Sequence, residues 1–215
     1  MPYAVYDFRT DVKNLFVTPR IRSRFLRMEP GEVHRAHSHD LGHEVFLILE
    51  GRCQMEIDGD RAVLGPGQLC VAFAHQMHQA SNVGDGPMTM YLSVTPHVVP
   101  THTQYDRETG ERLPPRYNPP TMFDQLDAVP DVPTAELADR FAIAQAALAD
   151  VTRAAVQAQQ AGIAALKEAA GRDDLPALAA AMDGLWAHVY AAHERLDALT
   201  AAWNQLAPRA ADARP

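Results

Sequence analysis

The chain has 215 residues, of which 47% are hydrophobic and 21% charged, and this length suffices for one domain with an appendage. A net charge of -8 argues against a nucleic-acid partner, because phosphate neutralisation needs clustered Lys and Arg. No stretch approaches the roughly 20 apolar residues of a membrane span, and residues 1–16 lack the pattern of a signal peptide. We therefore expect a cytoplasmic protein with no membrane partner.

Residues 21–94 consist of short alternating or apolar runs that are separated by Gly, Pro and Asp. Such regular short runs are typical of strands in an all-β sandwich or barrel. Asp58 and Gly59 favour a tight hairpin, because Gly tolerates the positive φ that such a turn needs. The pattern predicts a mostly antiparallel β-barrel, which we place at residues 1–100.

Residues 101–133 are predicted to form an extended connector, because they are rich in Pro and show few apolar repeats. The prolines concerned are Pro114, Pro115, Pro119, Pro120, Pro130 and Pro133. The connector would cover the barrel if Tyr105, Tyr117, Met122 and Phe123 are to avoid water. A mobile linker is the alternative interpretation.

Residues 134–207 are predicted to form an antiparallel helical hairpin. Thr134 is suited to cap the first helix, which runs Ala-rich to Gly171, and Asp173 and Asp174 are suited to begin the second. Apolar residues recur in the second helix at alternating steps of three and four, which places them on one seam. They are Leu175, Leu178, Met182, Leu185, Val189, Ala192, Leu196, Leu199, Trp203 and Leu206. This stripe could be buried on the barrel, on the partner helix, or in a homodimer.

A cluster of four histidines lies directly before an apolar strand. They are His34, His37, His39 and His43. Because residues two apart in a strand point to the same side, His37 and His39 can present both imidazoles to one point. Glu44 begins the next strand, and a buried carboxylate beside two imidazoles is costly without a cation. The cluster therefore indicates a divalent metal site. His43 is the alternative to Glu44 as a ligand of this metal.

Two segments carry a family resemblance. The first reads Gly31, five residues, His37-Ser38-His39, four residues, Glu44, six residues, Gly51. The second reads Gly67, five residues, Phe73, one residue, His75, two residues, His78, three residues, Asn82. In order and spacing they resemble the two signatures of the cupin superfamily over about residues 21–95. Phe73 and His75 stand where the family usually has Pro and Gly, and neither position binds metal in the family.

The resemblance implies a cupin jelly-roll barrel whose interior metal is bound by His37, His39, Glu44 and His78. Three imidazole nitrogens and one carboxylate suit Fe, Mn, Ni, Co or Zn, and a six-coordinate ion keeps two positions open. His34 and His75 are either groups near the pocket mouth or ordinary loop histidines. Possible pocket walls are the barrel residues Phe46, Met55, Phe73 and Tyr91. We find no interior Lys or Arg suited to hold an anionic substrate.

These expectations leave three functions open. The first is a metal-dependent enzyme that acts on a small organic molecule, with a dioxygenase preferred to an isomerase or lyase. In the dioxygenase, Glu44 would also act as a catalytic base. The second is a non-catalytic module that binds a small-molecule ligand and assembles through the hairpin. The third is a structural protein in which the metal serves stability alone.

Overall fold

The structure is a computed structural model, and it describes residues 3–106, 108–123 and 132–211. Two compact units are present: Met1–Pro130 with Ala207–Pro215, and Asp131–Leu206. Within the described residues, no helix has the length and apolar character needed to cross a membrane.

The first unit contains two antiparallel sheets. Its strands are β1 (Asn14–Val17), β2 (Arg22–Met28), β3 (His43–Glu50), β4 (Cys53–Ile57), β5 (Asp60–Leu64), β6 (Leu69–Ala72), β7 (His78–Asn82) and β8 (Met88–Thr95). One sheet has the order β1-β2-β8-β3-β6 and the other the order β5-β4-β7. The predicted fold class, a jelly-roll β structure followed by a helical hairpin, is confirmed. The predicted domain limits at residues 100, 133 and 207 stay predictions.

The barrel core lies on the inward faces of the two sheets. Strand β3 sits between β8 and β6, and Phe46 pairs with Leu92 on one side and Cys70 on the other. Phe46 and Ile48 are buried on the inward face of β3, and Glu44 continues the same face because side chains alternate along a strand. The register that buries the core therefore also sets the position of the Glu44 carboxylate.

Gly51, directly after β3, occupies a position that only glycine fits. Its φ is +79°, and an added Cβ would lie 2.7 Å from both Met88 Cα and Pro87 O. Gly31 has a similar φ of +76° but no atom within 4 Å of an added Cβ. We expect Gly51→Ala to lower the free energy of unfolding by about 3 kcal/mol or more, because backbone strain and a backbone clash add.

Gly31→Ala is the matched control, and it should cost only the backbone strain of about 1–2 kcal/mol. Scanning calorimetry of both variants measures the difference. Equal losses in the two proteins would show that the contact with Met88 and Pro87 is relieved without cost.

Part of the connector packs on the barrel. Ser38 and Thr103 exchange two backbone hydrogen bonds of 3.1 and 2.8 Å, and the Tyr105 hydroxyl lies 3.2 Å from Ser38 Oγ. Farther on, the 3-10 helix Pro120–Phe123 carries Phe123, which is 3% exposed. The predicted connector residues 107 and 124–131 lie outside the described residues. Residues 101–105 and the side chain of Phe123 thus form part of the barrel wall.

The second unit consists of helices α1 (Thr134–Gly171) and α2 (Leu175–Leu206). They are antiparallel: the rings of Phe141 and Trp203 lie 5.5 Å apart, at the start of α1 and the end of α2. The predicted capping is half right. Asp174 Oδ1 accepts from the Ala177 amide at 3.1 Å, whereas α1 is preceded by Pro133 and has no side-chain cap.

The predicted apolar seam of α2 is only partly covered. An added Cβ at Gly162 would lie 2.9 Å from Leu185 Cδ2, so the two helices approach closely at this point. Four other seam residues are exposed, by 39 to 71%: Leu175, Met182, Val189 and Leu196. Because a helix has 3.6 residues per turn, a strict seven-residue repeat drifts around a straight helix and one partner covers only part of it.

Candidate metal centre

The four predicted metal-binding residues come from both sheets and from the segment that joins β2 and β3. His37 and His39 lie in the segment before β3, Glu44 is the second residue of β3, and His78 is the first residue of β7. His37 and His78 exchange two backbone hydrogen bonds of 3.1 and 2.8 Å, which holds the loop against β7. The structure brings all four side chains to one point, with their candidate ligand atoms within 4.8 Å of one another.

One carboxylate oxygen, Glu44 Oε2, is the centre of the cluster. It lies 2.9 Å from His39 Nε2, 3.0 Å from His78 Nε2 and 3.9 Å from His37 Nε2. His39, Glu44 and His78 are buried, and the His37 side chain is 19% exposed. The cluster is therefore open to the outside mainly past His37.

The other ring nitrogen of each histidine is held by a backbone carbonyl. His37 Nδ1 lies 2.9 Å from the Arg35 carbonyl, and His78 Nδ1 lies 2.9 Å from the Gln76 carbonyl. His39 Nδ1 is held by the Thr101 carbonyl. A carbonyl can only accept, so each Nδ1 carries a proton and each Nε2 faces the cluster, where a neutral ring presents a lone pair.

This arrangement fits a divalent metal ion. Three lone pairs converge on a carboxylate oxygen, and acceptors that face acceptors need a shared cation or protons between them. Imidazole Nε2 with Nδ1–H on a backbone carbonyl is the ligand form that proteins use for zinc, iron and similar ions. The donor chemistry therefore suits the predicted transition metals.

Charge at the cluster is balanced locally. Burial raises the pKa of Glu44, but the short contacts of its carboxylate with His39 and His78 and the charge of Arg22 outweigh it and hold that pKa well below its usual range. Burial, with the charge of His78, lowers the pKa of His37 to about 4. Arg22 Nη2 lies 3.8 Å from Glu44 Oε1, and both side chains are less than 5% exposed. At neutral pH the cluster thus combines an ionised carboxylate with a neutral His37.

A cavity of about 80 Å³ adjoins the cluster. Its lining is Arg22, Arg24, His37, Glu44, Phe46, Leu92, His102, Met122 and Phe123. The two arginines correct the expectation that no interior cation faces a substrate. The sequence does indicate their inward position, because Arg22 and Arg24 lie on the same face of β2 as the buried Leu26 and Met28.

His102 was not predicted as a site residue. Its ring centroid lies 4.5 Å from that of His37 and 5.1 Å from that of His39. Burial, with the charges of His37 and His39, places its pKa well below the usual value, so the ring is neutral. The position of His102 follows from the packing of the connector on the barrel, and no local spacing indicates it.

Two other histidines of the predicted cluster region lie elsewhere. His43 faces away from Glu44, and its Nδ1 accepts from the Ala74 amide at 2.8 Å. His34 Nε2 lies 3.5 Å from Glu32 Oε1 and does not line the cavity. The choice of Glu44 over His43 therefore agrees with the strand alternation.

One of the four suggested pocket walls lines the cavity, and three do not. Phe73 is 59% exposed and packs against the ring of His43. Tyr91 faces away from the barrel interior, because its neighbours Met90 and Leu92 point inward, and its hydroxyl lies 3.0 Å from Ser23 Oγ. Phe46 lines the cavity, whereas Met55 is a buried core residue.

Comparison with known protein families agrees with the two-sheet barrel. Residues 24–95 match the cupin domain family. These residues form a cupin domain. The domain is 30% identical over 69 residues to "Polyketide synthase CurC" of Streptomyces cyaneus, which covers 32% of this chain and 45% of that protein. The chain thus spans less than half the length of this relative.

Two solved structures resemble the cupin domain. One is an uncharacterized conserved protein with a double-stranded β-helix domain from Klebsiella pneumoniae, with 20% identity, a TM-score of 0.41, and coverage of 43% of this chain and 84% of that one. The other is a sugar phosphate isomerase of the cupin superfamily from Silicibacter pomeroyi, with 26% identity, a TM-score of 0.37, and coverage of 42% and 58%.

The departure of this cupin domain at His75 has a structural counterpart. His75, where cupins usually have glycine, has a φ of +70°, in the left-handed region. Its amide donates to the His39 carbonyl at 2.9 Å, and its side chain is 75% exposed. The turn keeps a glycine-like backbone and supports the His39 main chain, while the imidazole of His75 stays outside the site.

Proposed function

We propose that this cupin domain binds one divalent transition-metal ion and acts as a metal-dependent enzyme on a small organic molecule, with dioxygenase chemistry as the leading reaction. The observation that carries the proposal is the convergence of three Nε2 lone pairs on Glu44 Oε2, each ring held through Nδ1 by a carbonyl. His37, His39, Glu44 and His78 would hold the ion. The adjoining cavity is the candidate substrate site.

The bound ion would supply Lewis acidity and, as Fe or Mn, a means of activating oxygen. The protein residues would supply the rest. Glu44 is ionised at neutral pH, because its pKa lies well below its usual range, and would accept a proton as catalytic base when it leaves the metal. Phe46, Leu92 and Phe123 exclude water from one side of the cavity and orient an apolar ligand.

Isomerase or lyase chemistry is the second candidate, and His102 favours it. Its ring lines the cavity and lies beside His37, so an imidazole that is not one of the four candidate metal ligands faces a bound molecule. We also propose a non-catalytic ligand-binding role as an alternative. We further propose dimerisation through the helical hairpin and a cytoplasmic location, with no nucleic acid as partner.

Elemental analysis tests the metal proposal. We expect about one Fe, Mn, Co, Ni or Zn per chain in protein purified without chelator, and loss of that metal in His78→Ala, which removes one of the converging nitrogens. His34→Ala is the control, since His34 does not face the cluster. Fe or Mn would favour the dioxygenase, and Zn, Ni or Co the other reactions. Equal metal contents in the two variants, or no metal after reconstitution, would refute the site.

A further inference from the structure

We propose that Arg22 and Arg24 form a carboxylate-binding subsite beside the metal centre, so that the ligand of the cavity is a small organic monoanion. This proposal rests on the proposed function, including its metal centre, and adds the chemical class of the ligand. The two arginines lie on β2, where Arg22 pairs with Val94 and Arg24 with Leu92 of β8. Both side chains line the cavity.

Arg22 retains hydrogen-bonding capacity that its protein neighbours do not use. Its side chain is 4% exposed, and its Nη2 is 3.8 Å from Glu44 Oε1, an ion-pair distance that is too long for a hydrogen bond. Among the described residues, Arg22 Nε has no hydrogen-bond partner. Leaving a buried donor unpaired is costly, and a ligand carboxylate in the cavity would accept from it.

The surroundings of Arg22 hold its guanidinium in place. Its central carbon lies 5.6 Å from the centroid of the Phe123 ring, a cation–π contact, and that ring also packs edge-on against His97 at 5.0 Å. A planar guanidinium fixed in this way presents its donors in one direction, which suits the two oxygens of a carboxylate.

The charges around the cavity favour an anion. Among the described residues, the lining contains two guanidinium groups and one carboxylate. A divalent cation at the four ligands would add to this positive excess. An organic monoanion would reduce it inside a low-dielectric space, where unbalanced charge is most costly.

The remaining lining defines the rest of the ligand. Phe46, Leu92, Met122 and Phe123 form the apolar part of the lining. The volume of about 80 Å³ is several times the roughly 10–15 Å³ that one water molecule requires, so the cavity has room for a small organic molecule. A carboxylic acid with an apolar body matches the arginines and this apolar lining.

Calorimetric titration with matched acids and amides tests the subsite. The probes are acetate, propionate, lactate and benzoate, each paired with its neutral amide, added to the full-length protein. We expect at least one acid to bind tenfold or more tightly than its amide, and Arg22→Gln to weaken that acid by about 10- to 100-fold while leaving the amide unchanged. Arg27→Gln is the control, because Arg27 lies on the same strand but outside the barrel.

Further variants separate a lost subsite from a lost fold. Arg22→Lys should recover part of the acid preference, because it keeps the charge but not the fork of donors. If Arg22→Gln does not fold, Arg24→Gln must lower the acid preference instead. No acid preferred over its amide in wild type, or the same preference in the arginine variants as in Arg27→Gln, would overturn the subsite.

Metal content measured on the same samples distinguishes the two proposals. Stoichiometric metal without any acid preference would refute the subsite and leave the metal centre standing. An acid preference that depends on Arg22 in protein without metal would support the subsite and count against the metal centre.

Discussion

Chelation should lower the free energy of unfolding of the cupin domain by about 3–4 kcal/mol, and Glu44→Gln should lose almost all of this effect. A ligand present at 100 to 1,000 times its Kd stabilises the folded state by about 2.7–4.1 kcal/mol. Gln offers no negative charge to a cation, so metal binding should weaken. The loss should be at least about 10- to 100-fold, which is the usual cost of removing a residue that only hydrogen-bonds to a metal ligand. The Gln amide can donate to His39 and His78 Nε2, so the variant should still fold.

Scanning calorimetry with and without chelator measures the effect, and Glu50→Gln is the control because Glu50 is exposed at the far end of β3. Tryptophan fluorescence is unsuitable, since the two tryptophans, Trp186 and Trp203, both lie in α2. If Glu44→Gln were stabilised by metal as much as Glu50→Gln, Glu44 would not be a ligand.

Acid should unfold the metal-free barrel from about pH 6.5 downward. Burial lowers the pKa of both His37 and His97 from 6.5 to about 4, helped by the charge of His78 in the first case and of Arg22 in the second. Above pH 6.5 both states are deprotonated and stability is complete. Between pH 6.5 and 4 the unfolded chain binds protons that the folded protein does not, so stability falls as pH falls.

Each of the two histidines contributes about 1.4 kcal/mol per pH unit, which amounts to roughly 5 kcal/mol for the pair between pH 6.5 and 4.5. Glu44 adds to the loss only at lower pH, because its pKa lies below the usual value in the folded protein. Urea unfolding in chelator across this pH range measures the slope. His97→Gln should remove about half of it and His34→Gln little, and an unchanged slope in His97→Gln would contradict the assignment.

Most of the candidate metal site could be predicted from local rules. His37 and His39 are two residues apart, and Glu44 shares a strand face with Phe46, whereas His78 followed from the resemblance to the second cupin signature. Neither the Thr101 carbonyl nor His102 could be predicted in this way. Both reach the cluster through the connector, whose place on the barrel follows from tertiary pairing such as that of Ser38 with Thr103.

The arginines were missed for a different reason. The alternation of β2 places Arg22 on the buried face of the predicted strand. Charged residues are usually exposed, however, so the alternation alone did not predict a buried arginine. For α2 the sequence predicted too much burial. A regular apolar repeat predicts an apolar stripe but does not show how much of that stripe one partner helix covers. Leu175 and Met182 are therefore exposed where the repeat favours burial.

The carbonyl of Thr101 has a consequence for protein engineering and for evolution by recombination. The family match ends at residue 95, yet the orientation of the His39 ring depends on a group six residues farther along the chain. The family match also begins only at residue 24, two residues after Arg22. A barrel transplanted as residues 24–95 would carry every candidate metal ligand but lack Arg22 and the support of one imidazole. The smallest exchangeable module therefore runs from before β2 to beyond Thr103.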